Sequence, residues 1–190
     1  MAGKLPLVGV LALQGDFEKH QRALERAGAS QCEVRNREDL AKVDALVIPG
    51  GESTTMLRLM DYFDLFDELR SFGLQKPVFG TCAGAILMAH EVLSPAQKSL
   101  DLMDITVERN AYGRQVDSRI VPLNTSIGAL EAVFIRAPVI RRTGPDVVVL
   151  ATYLDTPVLV KQGKHMAATF HPELSDDLRV HELFLESIGA

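Results

Sequence analysis

The chain has 190 residues, of which 47% are hydrophobic and 24% charged, so it can build a buried core and is neither disordered nor collagen-like. The 20 lysines and arginines against 25 aspartates and glutamates give a formal net charge of −5, which excludes a general electrostatic attraction to nucleic acid or an anionic membrane. The length predicts a single domain over residues 1–190, and two cysteines are too few for a disulfide framework, which predicts a cytoplasmic protein.

The first predicted element is a strand. Residues 5–13 form a continuous apolar run, which is typical of a strand covered on both faces. The run follows Lys4, as in a secretory signal, but it ends at Gln14 without a small-residue cleavage pattern and is too short to span a bilayer. A helix is then predicted from the cap residue Asp16 to the stop residue Gly28.

Strands and helices continue to alternate through the first half of the chain. The next predicted strands and helices occupy residues 32–34, 44–48, 56–63, 65–72, 77–79 and 85–92. This alternation predicts an α/β fold in three layers, with a mostly parallel central sheet flanked by helices on both faces. From residue 104, short β-rich pieces predict antiparallel additions in the second half, and residues 175–188 predict a last helix.

A cysteine lies between a predicted strand and a predicted helix, in the sequence Gly-Thr-Cys-Ala-Gly at residues 80–84. A tight strand-to-helix turn that presents a nucleophile requires small flanking residues. The following helix would direct its first N–H groups at Cys82, which favours the thiolate, and the Ala83 N–H would serve as an oxyanion donor. The alternative is an inert buried cysteine, which is our interpretation of Cys32 because Cys32 lacks such surroundings.

The sequence His-Pro-Glu at residues 171–173 offers a base and an orienting carboxylate. Pro172 favours an extended conformation for His171, and residues i and i+2 of an extended segment point to the same side. We therefore predict that the Glu173 carboxylate holds one imidazole nitrogen of His171 while the other addresses Cys82. The other histidines are expected to be surface or core residues: His20, His90, His165 and His181.

A glycine-rich loop follows the predicted strand at residues 44–48 and opens a helix. Its place at the carboxyl edge of the sheet, where Cys82 also emerges, makes Gly51 the natural second oxyanion donor. The loop lacks the Gly-Lys-Ser/Thr ending of a phosphate loop, and the alternative is a plain turn in which Ser53 caps the helix.

Two arginines stand in otherwise apolar or neutral surroundings. Arg109 and Arg136 suit bidentate recognition of a carboxylate, as an amino-acid substrate would require, or equally a structural ion pair. No metal site is predicted, because the sequence has neither Cys-x-x-Cys nor His-x-x-x-His spacing.

These motifs together carry a family resemblance. The sequences Gly-Thr-Cys-Ala-Gly and Phe-His-Pro-Glu resemble those of class I, triad-type glutamine amidotransferases. Strings at residues 9–15, 49–55, 107–118 and 134–138 resemble, more narrowly, the glutaminase subunits of two-subunit pyridoxal 5'-phosphate synthases. The strings lie in order along essentially the whole chain.

The resemblance implies roles for individual residues. Cys82 would be the nucleophile, His171 the general base and acid, and Glu173 its orienter. Gln14 and Gly50 would support the oxyanion loop, and no metal or cofactor is implied. The implied glutamine-binding residues are Gly51, Glu52, Ser53, Arg109, Ile135 and Arg136.

The resemblance also implies a reaction and a partner. The reaction is hydrolysis of L-glutamine to L-glutamate and ammonia, and the partner is a ring-building synthase subunit in a large hetero-oligomer, with no nucleic acid or membrane involved. We further expect that the Gly50-Gly51 loop flips on docking, so that the oxyanion hole forms only then. Three alternatives stay open: an amidotransferase that serves another synthase, a cysteine hydrolase or chaperone-like protein of the same broad fold that does not use glutamine, and a regulatory subunit with a decayed site.

Overall fold

The computed structural model describes residues 5–111 and 118–189. Its first half runs β1 (Leu7–Leu11), α1 (Phe17–Arg26), β2 (Ser30–Val34), α2 (Arg37–Lys42), β3 (Ala45–Ile48), α3 (Ser53–Tyr62), α4 (Phe66–Gln75), β4 (Val78–Thr81) and α5 (Ala83–Met88). Its second half runs β5 (Ala89–Leu93), β6 (Met103–Glu108), β7 (Ser118–Thr125), β8 (Gly128–Ile135), β9 (Val139–Thr143), β10 (Val148–Tyr153), β11 (Thr156–Gln162), β12 (His165–Ala168), a 3-10 turn (Pro172–Leu174) and α6 (Arg179–Leu185).

A large sheet has the strand order β2-β1-β3-β4-β12-β11-β10-β7-β8. The strands from β2 to β12 pair in parallel, and the strands from β12 to β8 pair antiparallel. Helical crossovers link the early parallel strands, whereas short turns link the antiparallel pairs β7–β8, β10–β11 and β11–β12. The predicted parallel sheet with antiparallel additions in the second half is therefore confirmed.

Apolar side chains cover both faces of the parallel part of the large sheet. In β3, Ala45 and Val47 pack into one core cluster while Leu46 and Ile48 pack into another, because alternate residues of a strand point to opposite faces. The first cluster also contains Phe170 and Phe184, and the second contains the buried faces of α3, α4 and α5. This division confirms the predicted three-layer arrangement.

A small sheet of β5, β6 and β9 was not foreseen as a separate unit. The predicted helix over residues 85–92 is wrong in its second half, because α5 ends at Met88 and the next five residues form β5. Parallel pairing of β5 with β6 supplies the backbone partners there, and this tertiary contact outweighs the helical spacing of the apolar residues.

One helix was not predicted, and the last helix begins later than predicted. Helix α2 was missed because it buries only Leu40 and so shows no apolar period, although Asn36 caps it by accepting from the Asp39 N–H at 2.9 Å. The last helix begins at Arg179 rather than near Ser175, because the Asp177 carboxylate accepts from the Arg179 N–H in a local turn. Among the described residues, no helix has the length and apolar composition required to cross a bilayer.

The parallel strands bring several loops to one edge of the large sheet. Thr81 at the end of β4 pairs with Ala168 at the end of β12, and Ile48 at the end of β3 pairs with Gly80. The loops that follow these strands therefore emerge side by side, together with the loop that follows β1.

Candidate active site

Cys82 lies at a sharp turn between β4 and α5. Its backbone has φ of 50° and ψ of −106°, a sparsely populated conformation typical of a nucleophile elbow. A Cβ atom on Gly84 would lie 2.0 Å from the Ile48 carbonyl oxygen, and one on Gly80 would lie 2.5 Å from the Gly84 backbone. Close backbone packing on both sides of Cys82 therefore explains why small residues are required there, as predicted.

His171 lies beside Cys82 and is almost fully buried. Its backbone N–H donates to the Val133 carbonyl at 2.8 Å, which fixes the segment after β12 against β8. Gly50 lies against both side chains, since a Cβ atom there would be 2.6 Å from His171 Cε1 and 3.4 Å from Cys82 Cβ. The loop after β3 thus closes over the pair.

Glu173 lies on the other side of the His171 ring. Its Oε1 atom is 2.7 Å from His171 Nδ1, and its side chain is wholly buried. The segment is not extended as predicted, because Pro172–Leu174 forms a 3-10 turn with proline at its start. The predicted contact between the imidazole and the carboxylate is nevertheless present.

The electrostatics of the three side chains favour charged forms of His171 and Glu173. Burial lowers the pKa of His171, but hydrogen bonds with Cys82 and Glu173 and the charges of both outweigh burial and raise the pKa to about 10. Burial raises the pKa of Glu173, but His20 and His171 outweigh it, so the pKa of this carboxyl lies below its usual value. His171 is therefore an imidazolium near pH 7.

A cavity of about 410 Å³ opens in front of Cys82. Glu173 does not line it, because it lies behind His171. The other predicted site residues all line it: Gln14, Gly50, Gly51, Glu52, Ser53, Cys82, Ala83, Arg109, Ile135, Arg136 and His171. The structure thus brings together residues from six separate segments of the chain.

Glu52, rather than Ser53, caps helix α3. Its carboxylate accepts from the backbone N–H groups of Thr54 at 3.0 Å and Thr55 at 2.8 Å. Burial raises the pKa of Glu52, but these bonds and the bond from the Thr55 hydroxyl outweigh it and lower the pKa to about 2. Glu52 is therefore a fixed negative charge at the rim of the cavity.

Arg109 reaches the same rim from the end of β6. Its Nη2 atom donates to Thr54 Oγ1 at 2.7 Å and lies 3.5 Å from Glu52 Oε1. Arg109 therefore lines the cavity and also has structural partners, and its recognition of a substrate carboxylate stays a prediction. Arg136 has φ of 43° and is exposed at the cavity after Ile135, whose carbonyl oxygen is 4.0 Å from Cys82 Sγ.

Two buried histidines behind Glu173 were not predicted as part of the site. His20 Nε2 lies 3.3 Å from Glu173 Oε2, and His20 Nδ1 lies 3.0 Å from His181 Nε2. The available sequence signal was a histidine at a core position of α1, where an apolar residue is usual. Cys32 is half-buried against the core, which agrees with its interpretation as a packing residue.

No cluster of three or more potential metal-binding side chains occurs in residues 5–111 and 118–189. Residues 112–117, which belong to the string at 107–118 that carries part of the resemblance, lie outside the described residues.

A family model for SNO glutamine amidotransferases matches residues 10–190. The chain belongs to this family. It is 60% identical to the pyridoxal 5'-phosphate synthase subunit PdxT of Solibacter usitatus (strain Ellin6076), in an alignment that covers 95% of this chain and 98% of that protein. It is 55% identical to the PdxT subunit of Koribacter versatilis (strain Ellin345), in an alignment that covers 95% of each chain.

A solved structure agrees with this assignment. A crystal structure of a glutamine amidotransferase superposes with a TM-score of 0.90 at 50% identity, covering 96% of this chain and 99% of the other. The resemblance inferred from the sequence is therefore confirmed, and the chain is a glutamine amidotransferase with the fold of that enzyme class.

Proposed function

We propose that this amidotransferase hydrolyses L-glutamine through a triad of Cys82, His171 and Glu173, in one glutaminase domain over residues 1–190. The observation that carries the proposal is the position of His171, which contacts Cys82 on one side and Glu173 Oε1 at 2.7 Å on the other. A nucleophile, a base and an orienting group in this order are the parts that covalent hydrolysis of an amide requires.

In the first half-reaction the Cys82 thiolate attacks the side-chain amide carbon of glutamine. The oxyanion that forms accepts hydrogen bonds from the N–H groups of Gly51 and Ala83. The carbon–nitrogen bond then breaks, the His171 imidazolium gives its proton to the departing nitrogen, and ammonia leaves behind a γ-glutamyl thioester. One oxyanion donor contributes about 3 kcal/mol to such a transition state, and acid–base assistance about 10²- to 10⁴-fold in rate.

In the second half-reaction the neutral His171 takes a proton from water. The resulting hydroxide adds to the thioester carbon, the carbon–sulfur bond breaks to restore the Cys82 thiolate, and the new carboxylic acid gives its proton to solvent and leaves as glutamate. Glu173 keeps its charge throughout, because its oxygen at Nδ1 stabilises the imidazolium and fixes the ring orientation. Two charge states of one histidine therefore serve both half-reactions.

Charges at the rim of the cavity suit the amino-acid end of glutamine. Glu52 supplies a negative charge for the α-ammonium group, and Arg109 and Arg136 supply positive charges for the α-carboxylate. Ser53 and Ile135 complete the binding set from the start of α3 and the end of β8. These charges at the rim hold the amino-acid end of glutamine, so its side-chain amide points towards Cys82.

The ammonia serves pyridoxal 5'-phosphate synthesis, the vitamin B6 pathway. Nearly full-length relatives at 60% and 55% identity are named pyridoxal 5'-phosphate synthase subunits, which favours this synthase over others. The partner is then a ring-building synthase subunit, in a large cytoplasmic hetero-oligomer, and the glutaminase needs no cofactor of its own. Docking of that subunit flips the Gly50-Gly51 loop and completes the oxyanion hole.

The experiment is a glutaminase assay of Cys82→Ser and His171→Asn with and without the synthase subunit. We expect both variants to lose at least about 10³-fold in kcat, whereas the control Cys32→Ser, whose thiol packs against the core, keeps wild-type turnover. A glutamine-analogue electrophile should label Cys82 and leave Cys32 unlabelled. Full turnover of either triad variant would refute the triad, and equal wild-type rates with and without the synthase subunit would refute the docking step.

A further inference from the structure

The second oxygen of the Glu173 carboxylate lacks an obvious role in the triad. Oε1 binds His171, whereas Oε2 is buried and makes no hydrogen bond of good geometry with the described residues. Its close polar neighbour is His20 Nε2, at 3.3 Å. A buried carboxylate oxygen without compensation destabilises the charged form, so this neighbour matters to the triad.

His20 connects three elements behind the active site. It lies on α1 with no exposed surface, and its Nε2 atom is 3.0 Å from Oγ1 of Thr81, the residue before Cys82. Its Nδ1 atom is 3.0 Å from Nε2 of His181 on α6. One imidazole therefore lies between the strand that carries the nucleophile and the turn that carries Glu173.

The hydrogen-bond network decides which nitrogen of His20 carries the proton. Burial lowers the pKa of His20 and lowers that of His181 to about 3, so each ring is neutral near pH 7 and has one N–H. A proton on His20 Nδ1 would leave bare Nε2 facing the carboxylate at 3.3 Å. It would also leave His181 with its N–H on Nδ1, which has no partner in the part of the chain that the structure describes.

The other tautomer avoids both costs. With the proton on Nε2, the N–H of His20 donates to Thr81 Oγ1, and the positive end of this N–H dipole lies near Glu173 Oε2. His181 then donates from its Nε2–H to His20 Nδ1. His181 Nδ1 is then a bare acceptor, which is more easily buried alone than a donor.

We propose that His20 is a positioning residue for the triad: its Nε2–H donates to Thr81 and places the positive end of the imidazole beside the Glu173 carboxylate, on the side opposite His171, and His181 fixes this tautomer. The inference rests on the proposed triad of Cys82, His171 and Glu173. Besides the triad, His181 contacts His20 and the charge of Asp16 acts on it, while a cavity beside Glu173 is lined by the charged residues Lys19, Arg22, Arg26 and Asp176.

The test compares two amides at position 20, assayed with the synthase subunit present. His20→Gln carries an N–H close to the place of Nε2, whereas His20→Asn carries polar atoms only near the place of Nδ1. We expect kcat of His20→Asn to fall about 10- to 100-fold with little change in KM, and that of His20→Gln to stay within about threefold of wild type. The acid limb of the kcat profile should move up by about one pH unit in His20→Asn, because Glu173 then takes a proton more readily.

The matched control is His165→Asn, which alters another buried neutral histidine, at the start of β12 and away from the cavity. It should lower the melting temperature without moving the acid limb. If His20→Asn does not fold, the tautomer of His20 in the wild-type chain decides, measured from the ¹⁵N shifts of the ring by NMR. A proton on Nε2 supports the proposal, and a proton on Nδ1 overturns it.

Equal losses in His20→Asn and His20→Gln with an unchanged acid limb would also overturn it. An inactive Cys82→Ser together with a normal His20→Asn would refute only the role of His20. An active Cys82→Ser would refute the triad itself and this inference with it.

Discussion

The backbone N–H of Glu52 donates a hydrogen bond of 2.8 Å to Oε1 of Gln14. The same oxygen lies against Gly51, where a Cβ atom would be 2.3 Å away. Gln14 follows β1, whereas Gly51 and Glu52 follow β3, so a side chain from one strand end holds the loop of another. This loop carries one of the two proposed oxyanion donors.

Replacement of Gln14 should therefore impair chemistry more than binding. In Gln14→Leu the loop loses the hydrogen bond that holds it in place. We expect kcat to fall about 10- to 100-fold with a smaller change in KM, an effect that approaches that of removing one oxyanion donor. The control is Gln21→Leu, which removes a comparable side-chain hydrogen bond, to Gln31, away from the cavity. Steady-state glutaminase kinetics measure both, and an unchanged kcat in Gln14→Leu would show that the loop needs no such anchor.

Gly50→Ala should separate catalysis from stability. The new Cβ atom would meet His171 Cε1 at 2.6 Å and displace the imidazole from Cys82, so we expect a loss in kcat of about 100-fold. Gly28→Ala is the contrasting variant, because a Cβ atom there meets nothing within 4 Å but the backbone has φ of 92°. It should lower the melting temperature and leave kcat unchanged. The reverse pattern would contradict the position given to Gly50.

Glu173→Gln should shift the alkaline limb of the pH profile. Hydrogen bonds and charges from Cys82 and Glu173 raise the pKa of His171 to about 10, and loss of the carboxylate should return it towards 6.5. The alkaline limb of the pH profile should then move to lower pH, and kcat should fall about 10²- to 10⁴-fold. The exposed Glu182→Gln serves as control. A profile of kcat/KM that keeps its alkaline limb would disprove the coupling of Glu173 to His171.

The same ion pair contributes to stability in a defined pH range. Because the pKa of His171 is raised on folding, its contribution is complete below pH 6.5 and is lost as the pH rises through about 10. Chemical unfolding of wild type and Glu173→Gln should therefore differ less at pH 10 than at pH 6. A difference that grows with pH would have the wrong sign.

Glu52→Ala should remove the cap of α3. We expect the free energy of unfolding to fall by about 1 kcal/mol at pH 7. Because the pKa of Glu52 is lowered to about 2, its stabilisation is complete above pH 4.5 and is lost as the pH falls through about 2, so the difference from wild type should shrink at pH 3. Asn36→Ala removes the uncharged cap of α2 and should cost about the same at both pH values. Urea titrations compare the two, and an equal response of both variants to acid would contradict a charged cap.

Arg109→Gln should weaken glutamine binding. It removes a charge at the cavity rim together with the bond to Thr54, and charge-assisted hydrogen bonds of this kind correspond to a rise in KM of about 10- to 100-fold. Arg142→Gln is the control, since Arg142 pairs with Asp104 on the small sheet. An unchanged KM in Arg109→Gln would show that this arginine has a structural role and does not bind glutamine.

The sequence predicted the elements whose signals are local. The apolar run at residues 44–48 predicts β3, and the small residues around Cys82 predict the turn after β4, because burial on both faces and a tight turn each restrict residue type. The contact of His171 with Glu173 was predicted through an incorrect extended backbone, since two residues of separation bring side chains together in more than one conformation. Strand β5 could not be found this way, because its pairing with β6 depends on residues distant in the chain. His20 was missed for the same reason: its partners Thr81, Glu173 and His181 lie far along the sequence.

Strands β4 and β12 are neighbours in the sheet but distant in the chain, with Cys82 after the one and His171 after the other. During synthesis the thiol of Cys82 thus leaves the ribosome before its proposed base His171, and β4 has no β12 beside it until that later strand has been made. A growing or truncated chain that lacks His171 and Glu173 would carry Cys82 without the two side chains of the proposed triad, and we expect it to be unable to hydrolyse glutamine.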